Sequence, residues 1–421
     1  MLKTILRKEH KNKWERRVAL TPDAVAELNQ AGFPIAIEPS EFRVFDDESY
    51  VCNGSESSQT LKDFELILGI KEPPVDSIEK HQTHLCFSHT IKGQDYNMPL
   101  LQKFLDQKAT LIDYELMMNE SGIRTIAFGR YAGIGGAIDT LWLYGQMLAE
   151  QQKDTVLTQM KQTWEYQSLA KAKQLIEPID INQDKKPLRV VILGNGKVGM
   201  GAAEVCQWLN LPEISAQDIS EGHYDDEHHW YSVLDVTEMY GRIEDGGFDR
   251  DEYTKEGKSL YRSRFKELLT HCDVILQSSF WTEHYPRHMD TDDFKENADI
   301  LPAIIGDISC DIDGSFACTK KITDIENPVY RYHPLTGEIT DGLEGEGIAV
   351  MAIDNLPCEL PEDASTHFSN VLSVHLPALM QIDFNNDFES LPLIEELKNA
   401  VIVYRGELTP NFQYLERYLS A

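Results

Sequence analysis

The chain has 421 residues, enough for two domains or three at roughly 100–200 residues each. Apolar residues make up 42% and charged residues 26%, which excludes a disordered chain. The 39 Lys and Arg against 70 Asp and Glu leave a net charge of −31, which argues against nucleic acid and against an anionic membrane surface as partners.

Short apolar runs alternate with longer amphipathic stretches. Strands are expected over residues 2–6, 34–37, 66–70, 85–88 and 110–113, then over 188–193, 273–277, 303–308 and 348–353. Helical segments separate most of them, which predicts α/β domains built on parallel sheets. The first helix is clearly punctuated: Thr21 suits the N-cap, Pro22 the first helical position, and Gly32 lies just past the end. A second helical pattern over 138–175 is polar on one face and reads as a connector into a second domain, with 177–186 as a linker. Residues 219–262 are acidic and lack periodicity, so an insertion or long loop is expected there. His223, Asp225, Asp226, Glu227, His228 and His229 fall inside it with no zinc-ligand spacing, which predicts a solvated acidic loop and no metal. After residue 354 helical patterns return.

The seven Cys are scattered without a C-x-x-C pair, as in a reduced cytoplasmic protein. The N-terminus has no apolar run after its basic residues, and no apolar stretch reaches about 18 residues, so neither a signal peptide nor a membrane span is expected.

The strand over 188–193 (LRVVIL) runs straight into Gly194-Asn195-Gly196-Lys197-Val198-Gly199, and a helical pattern follows. This is G-x-G-x-x-G between strand and helix. The first glycine allows the tight turn, the second lets backbone approach a pyrophosphate, and the third lets helix pack on strand. The helix N-terminus offers unpaired N–H groups and the positive end of a dipole. Asp218, placed after an expected second strand over 213–217, is positioned to accept from the ribose hydroxyls of NAD and to repel the 2′-phosphate of NADP. NAD is therefore the favoured cofactor, with NADP as the alternative. Lys197 reads either as a phosphate contact or as solvated surface. Arg262, Arg264 and Arg287 suit cofactor phosphates or pairing with the acidic surface, and the sequence does not separate these.

Cationic residues stand at expected strand ends in the first 135 residues: Arg17, Lys71, His89, Lys92 and Arg124. Ligands of parallel α/β domains sit at the carboxyl ends of strands, and Arg takes a carboxylate in a bidentate fork. In so acidic a chain, this grouping suggests a site for carboxylates.

The same stretches resemble a known family. Residues 15–22 (ERRVALTP) resemble the E-x-R-x-A-L-T-P motif of the alanine dehydrogenase, transhydrogenase and saccharopine dehydrogenase superfamily. Residues 70–73 (IKEP) and 87–92 (FSHTIK) are similar to the lysine-forming saccharopine dehydrogenases. So are 113–115 (DYE), 127–133 (AFGRYAG), 306–311 (GDISCD) and 352–361 (AIDNLPCELP). The likeness extends over nearly the whole chain to the lysine–ketoglutarate reductase half of aminoadipic semialdehyde synthases, including residues 253–281. The resemblance implies a stand-alone reductase interconverting saccharopine with lysine and 2-oxoglutarate through an imine, with NAD or NADP. It implies Lys71 and His89 as the acid–base pair, Lys71 lowered by repulsion from Lys92 and Arg17. Arg17, Lys92 and Arg124 would hold substrate carboxylates, with Glu72 and Glu115 balancing them. Asp307 and Asp311 would lie near the nicotinamide ribose, N-capping being their structural alternative. Another amino-acid dehydrogenase of the superfamily, or a dinucleotide-binding protein without turnover, are the other readings. The expected organisation is two Rossmann-like domains with hydride transfer in the cleft between them: residues 1–138 continued by 354–421 for substrate, and 139–353 for the dinucleotide.

Overall fold

A computed structural model describes residues 1–224 and 227–419. Asp225 and Asp226 lie outside the described residues. The chain divides into two compact units, Met1–Phe128 with Pro361–Ala421, and Gly129–Leu360. The dividing points fall at 128/129 and 360/361, where the sequence placed them at 138/139 and 353/354, because one unbroken helix starts at Gly129.

In the first unit, Thr4–Leu6, Ile35–Ile37, Leu66–Leu68, Thr83–Cys86 and Thr110–Asp113 form a parallel sheet, every residue of which is buried. A parallel sheet covered on both faces calls for such continuous apolar runs. The Thr4–Leu6 strand lies one in from the sheet edge, with Ile5 opposite Ala36 on one side and Ile67 on the other. The chain's tail adds two strands where only helices were expected. Val401–Tyr404 pairs antiparallel with Thr110–Asp113, and Glu407–Leu408 closes the edge. Helix Pro22–Gln30 starts as the sequence reads: the Thr21 side chain accepts from the Ala24 N–H at 3.3 Å, and Gly32 takes a φ of +87° beyond the last turn.

The second unit has its own sheet, in the order Ile339–Asp341, Val329–Tyr332, Ile348–Met351, Ile304–Asp307, Val274–Gln277, Arg189–Leu193, Trp230–Leu234. Its last five strands are parallel. The expected strand over 213–217 is not formed. Glu213 makes a single bridge to Tyr231, and Ala216–Glu221 is helical. The second strand is Trp230–Leu234, inside the stretch expected to be loop, and that stretch also supplies an antiparallel hairpin of Tyr240–Arg242 with Tyr261–Ser263. Helix Gly129–Glu150 is buried along most of its length, contrary to the polar connector expected over 138–175. The polarity lies beyond Glu150, in short turns and in the separate helix Leu169–Ile176. A Cβ on Gly133 would stand 1.9 Å from the Val198 carbonyl oxygen, so glycine lets this helix press against Lys197–Trp208. The expected linker over 177–186 is also tied down: Lys186 Nζ meets Asp273 Oδ1 at 2.8 Å and Tyr144 Oη at 2.9 Å.

Candidate active site

Lys71 stands just past the carboxyl end of Leu66–Leu68 in the first unit. Its backbone is clamped. Glu9 accepts from the Ile70 N–H at 2.7 Å and the Lys71 N–H at 3.0 Å, and Arg7, 3.3 Å from Glu9, donates to the Lys71 carbonyl. Burial pushes the Lys71 ammonium below its ordinary value, and the charges of Arg17 and Lys11 push the same way against Glu15 and Glu72. Lys92 is not among the main charges acting on Lys71; it sits exposed in a turn after Ile91, and Lys11 is the lysine that acts there.

Arg17 is only 1% exposed. Its Nε and Nη2 donate to the two oxygens of Glu15 at 2.7 and 2.6 Å, and its guanidinium lies 4.3 Å from the Phe128 ring centroid. Serine side chains from helix Pro361–Leu372 hold the adjoining backbone, Ser365 Oγ accepting from Val18 and Ser369 Oγ from Thr21. A guanidinium so enclosed has its bidentate fork already filled by Glu15. It places a fixed positive charge beside Lys71.

His89 sits at φ +53°, a left-handed conformation uncommon for a non-glycine residue. Its Nδ1 is 3.2 Å from Glu72 Oε2, its ring stacks on Phe87 at 6.5 Å, and its carbonyl accepts from Asn97. Burial acts to raise the Glu72 carboxyl, but the hydrogen bond with His89 and the charge of Lys11 outweigh it and hold the group at about 2. The loop under His89 is pinned by Asp113, at the end of its own strand. Asp113 Oδ2 accepts from both the N–H and the hydroxyl of Ser88, and Oδ1 accepts from the Glu115 N–H at 2.8 Å. Burial pushes the Asp113 carboxyl up to about 6 against those hydrogen bonds. Glu115 in turn receives Arg124 Nη2 at 3.0 Å, with the arginine 40% exposed and open to a ligand. The structure thus brings Lys71, Arg17, Glu72 and His89 together at strand ends, and joins Arg124 to Glu115 through the same loop. Glu9, Lys11, Glu15 and Asp113 were missed as participants. Glu15 and Asp113 stood inside quoted motifs, but only geometry shows what their carboxylates hold.

In the second unit, Gly194 follows Arg189–Leu193 with φ +108°, and helix Lys197–Trp208 opens at once. A Cβ on Gly199 would lie 1.7 Å from the Gly194 carbonyl oxygen, so the helix can start only on glycine. A Cβ on Gly196 would meet nothing within 4 Å. The turn therefore presents open space to its middle glycine and the N–H groups of Lys197, Val198 and Gly199, the cradle a pyrophosphate requires. The residues present fit a dinucleotide. Lys197 is exposed at this mouth.

Two of the acids expected on the cofactor are engaged by protein groups. Asp218 lies in the first turn of helix Ala216–Glu221, not after a strand, and completes its capping box: Oδ2 accepts from the Ser215 N–H at 3.3 Å, and the Asp218 N–H donates to Ser215 Oγ at 3.1 Å. The acid at the end of the second strand is Asp235, after Trp230–Leu234; its Oδ1 accepts from the Thr237 N–H and hydroxyl and from the Glu238 N–H. Asp307 is fully buried. Its Oδ1 accepts from the Ser309 N–H and hydroxyl and its Oδ2 from Thr319, and burial pushes it up to about 6, so it braces a turn. Asp311 stays exposed in that turn.

The alanine dehydrogenase/PNT N-terminal domain matches residues 5–135, and the alanine dehydrogenase/PNT C-terminal domain matches residues 182–411. Alpha-aminoadipic semialdehyde synthase of Arabidopsis thaliana is 33% identical, over 96% of this chain and 40% of its own length. The mitochondrial alpha-aminoadipic semialdehyde synthase of Mus musculus is 31% identical, over 98% of this chain and 47% of its own. The chain thus spans less than half the length of these relatives. A saccharopine dehydrogenase [NAD(+), L-lysine-forming] of Emericella nidulans is 25% identical over 92% of this chain and 94% of its own. Among solved structures, an L-alanine dehydrogenase superposes with a TM-score of 0.65 at 19% identity, covering 99% of this chain and 100% of that one, a likeness of fold.

Proposed function

The chain belongs to the alanine dehydrogenase/PNT family, and from that premise we propose that it is an oxidoreductase interconverting saccharopine with L-lysine and 2-oxoglutarate. The observation that carries the reading is the Lys71 group: a desolvated ammonium, lowered further by Arg17 and Lys11, with His89 and Glu72 beside it at the strand ends. An amine held below its ordinary value is what a base needs to work near neutrality. The named relatives that share this chain's length or its matched half point to the same chemistry.

The Gly194–Gly199 turn would hold the pyrophosphate of a nicotinamide dinucleotide, which would supply the hydride exchange. In the oxidative direction, neutral Lys71 takes one proton from the protonated secondary amine of saccharopine, so that loss of hydride leaves a protonated imine. His89 then removes a proton from the water that adds to the imine carbon, and Glu72, held ionised, stabilises the imidazolium that results. The imidazolium of His89 then returns its proton to the carbinolamine nitrogen, and the freed imidazole takes the hydroxyl proton as the C–N bond breaks, releasing lysine and leaving the keto group of 2-oxoglutarate. Arg124, exposed and oriented by Glu115, is the guanidinium placed to take a substrate carboxylate.

For the cofactor we favour NAD. The cavity beyond the second strand, about 310 Å³, is lined by Leu234, Thr237, Glu238, Arg264 and Glu267. Its one arginine is paired with Glu267 at 3.2 Å, and Asp235 precedes it at the strand end, so a 2′-phosphate would face net negative charge. Following NADH and, separately, NADPH absorbance with lysine plus 2-oxoglutarate tests both statements. The expected result is oxidation of NADH. Oxidation only with pyruvate plus ammonia would assign the chain to an alanine dehydrogenase reaction instead.

A further inference from the structure

Two of the three arginines that the sequence left without a role meet in one pocket of the second unit. It measures about 570 Å³, a size that suits a small metabolite, and its walls include Lys258, Arg262, Lys266 and Arg287 with the rings of Trp281 and Tyr285. Arg287 is fixed in place: its guanidinium lies 5.0 Å from the Trp281 ring centroid, and Nη1 donates to the Gly314 carbonyl at 2.8 Å, leaving its other N–H groups. Neither Lys258 nor Arg262 makes a side-chain hydrogen bond or ion pair among the described residues. The carboxylates at the rim are mostly engaged. Asp293 pairs with Lys266, and it and Asp290 together form the capping box of helix Thr291–Glu296, which leaves Glu283.

Uncompensated cations gathered around an anchored arginine run against the field of a chain of net charge −31. Behind them is a neutral floor. His288 is 1% exposed, with Nδ1 at 3.1 Å from Ser263 Oγ and Nε2 at 3.4 Å from Ser279 Oγ, and burial holds it down to about 3. Ser279 backs onto the Gly194 turn, where a Cβ on that glycine would lie 3.1 Å from the Ser279 Cα. The pocket is therefore next to the dinucleotide turn but lined by none of its residues.

We propose that this pocket is a binding site for a compact polyvalent anion, a polycarboxylate or a phosphate, separate from the cofactor. Arg262 and Arg287 would take its oxygens through guanidinium forks, Lys258 would add a point charge, and the Trp281 and Tyr285 rings would cover its carbon face.

Isothermal titration of the full chain at low salt, with citrate and with pyrophosphate, separates the two ligand chemistries. Saturable one-to-one binding of either supports the site and names its class. The double variant Lys258→Glu/Arg262→Glu changes two exposed residues, so folding is preserved, and it should weaken that binding by about tenfold or more. Arg287→Lys keeps the charge, loses the fork and should weaken it less. Lys80→Glu, an exposed charge change in the other unit, should leave it within about twofold. No saturable binding of either anion, or an equal loss in Lys80→Glu, overturns the proposal. So does displacement of the bound anion by saturating NADH, which would place these cations in the cofactor site.

Discussion

Lys71 in the first unit and Gly196 in the second mark two ways of making a site. Around Lys71, side chains act on one another through charge: Arg17 and Lys11 lower it, Glu15 fixes Arg17, and Glu72 fixes His89. Around Gly196, the work falls to backbone and to missing side chains, since Gly194 makes the turn, Gly199 admits the helix and Gly196 leaves room. The first kind of site responds to charge and pH and tolerates changes of shape. The second responds to a single added carbon and is indifferent to charge. Substitutions can break that contrast.

The largest effect is expected at Lys71. Lys71→Met keeps the length of the side chain and removes the titratable nitrogen, so turnover should fall by about 10²–10⁴-fold, the usual range for general acid–base catalysis. NADH affinity, read by fluorescence titration, should stay as it is. Turnover near the parent rate would remove Lys71 from the chemistry.

The glycines provide the converse. In Gly199→Ala the new methyl meets a backbone oxygen that cannot swing aside, so thermal stability should fall by about 1–3 kcal/mol or more, and NADH binding with it. In Gly196→Ala the methyl enters open space, so melting should be unchanged while NADH affinity drops. If both variants melted alike and bound NADH alike, the distinction between a packing glycine and a ligand-facing one would fail.

A smaller effect tests the charge network. Arg17→Gln alone would strand a buried Glu15, so the double variant Arg17→Gln/Glu15→Gln is the cleaner probe. Arg17 lowers Lys71 more than Glu15 raises it, so removing both should raise the lysine. Saccharopine oxidation needs Lys71 neutral. The rising limb of its kcat/KM profile should therefore move to higher pH, by about one unit or less. An unmoved limb would mean that the Arg17–Glu15 pair has no net hold on Lys71.

These contrasts also explain what the sequence made legible. The parallel strands were visible because both faces are buried and their residues are uniformly apolar, and the Thr21 cap and the Gly194–Gly199 turn because local backbone geometry demands those residue types. The Trp230–Leu234 strand was hidden by its acidic flanks, although WYSVL has strand composition, and with it went Asp235 at its end. Asp218 was placed after a strand by its spacing and lies in a helix instead, since an acid three residues after Ser215 builds a capping box just as readily. VIVY at 401–404 is a plain strand signal, obscured by the helical patterns around it. The bond from Glu15 to Arg17 is a matter of side-chain direction in an irregular segment, where no periodicity applies.

The subtlest test concerns the support beneath His89. Asp113 holds its proton to about 6 in the folded chain, because burial penalises the carboxylate more than Ser88 and Glu115 favour it. An unfolded chain releases that proton near 3.8, its ordinary value. As pH rises between those points the unfolded state has lost a proton that the folded state keeps, so this group's contribution to stability falls over that window and is level above it. Glu72, held at about 2, acts in the opposite sense and over a lower window: its contribution is present above its ordinary value of 4.5 and is lost as pH falls toward 2. Asp113→Asn cannot ionise. Urea unfolding of this variant should show a lower stability at each pH, since the amide can no longer accept from both Ser88 donors, together with a shallower decline from pH 4 to pH 6 than the parent. A decline of equal steepness would show that Asp113 is already ionised at pH 4 in the folded chain, and that Ser88 holds a carboxylate rather than a carboxylic acid.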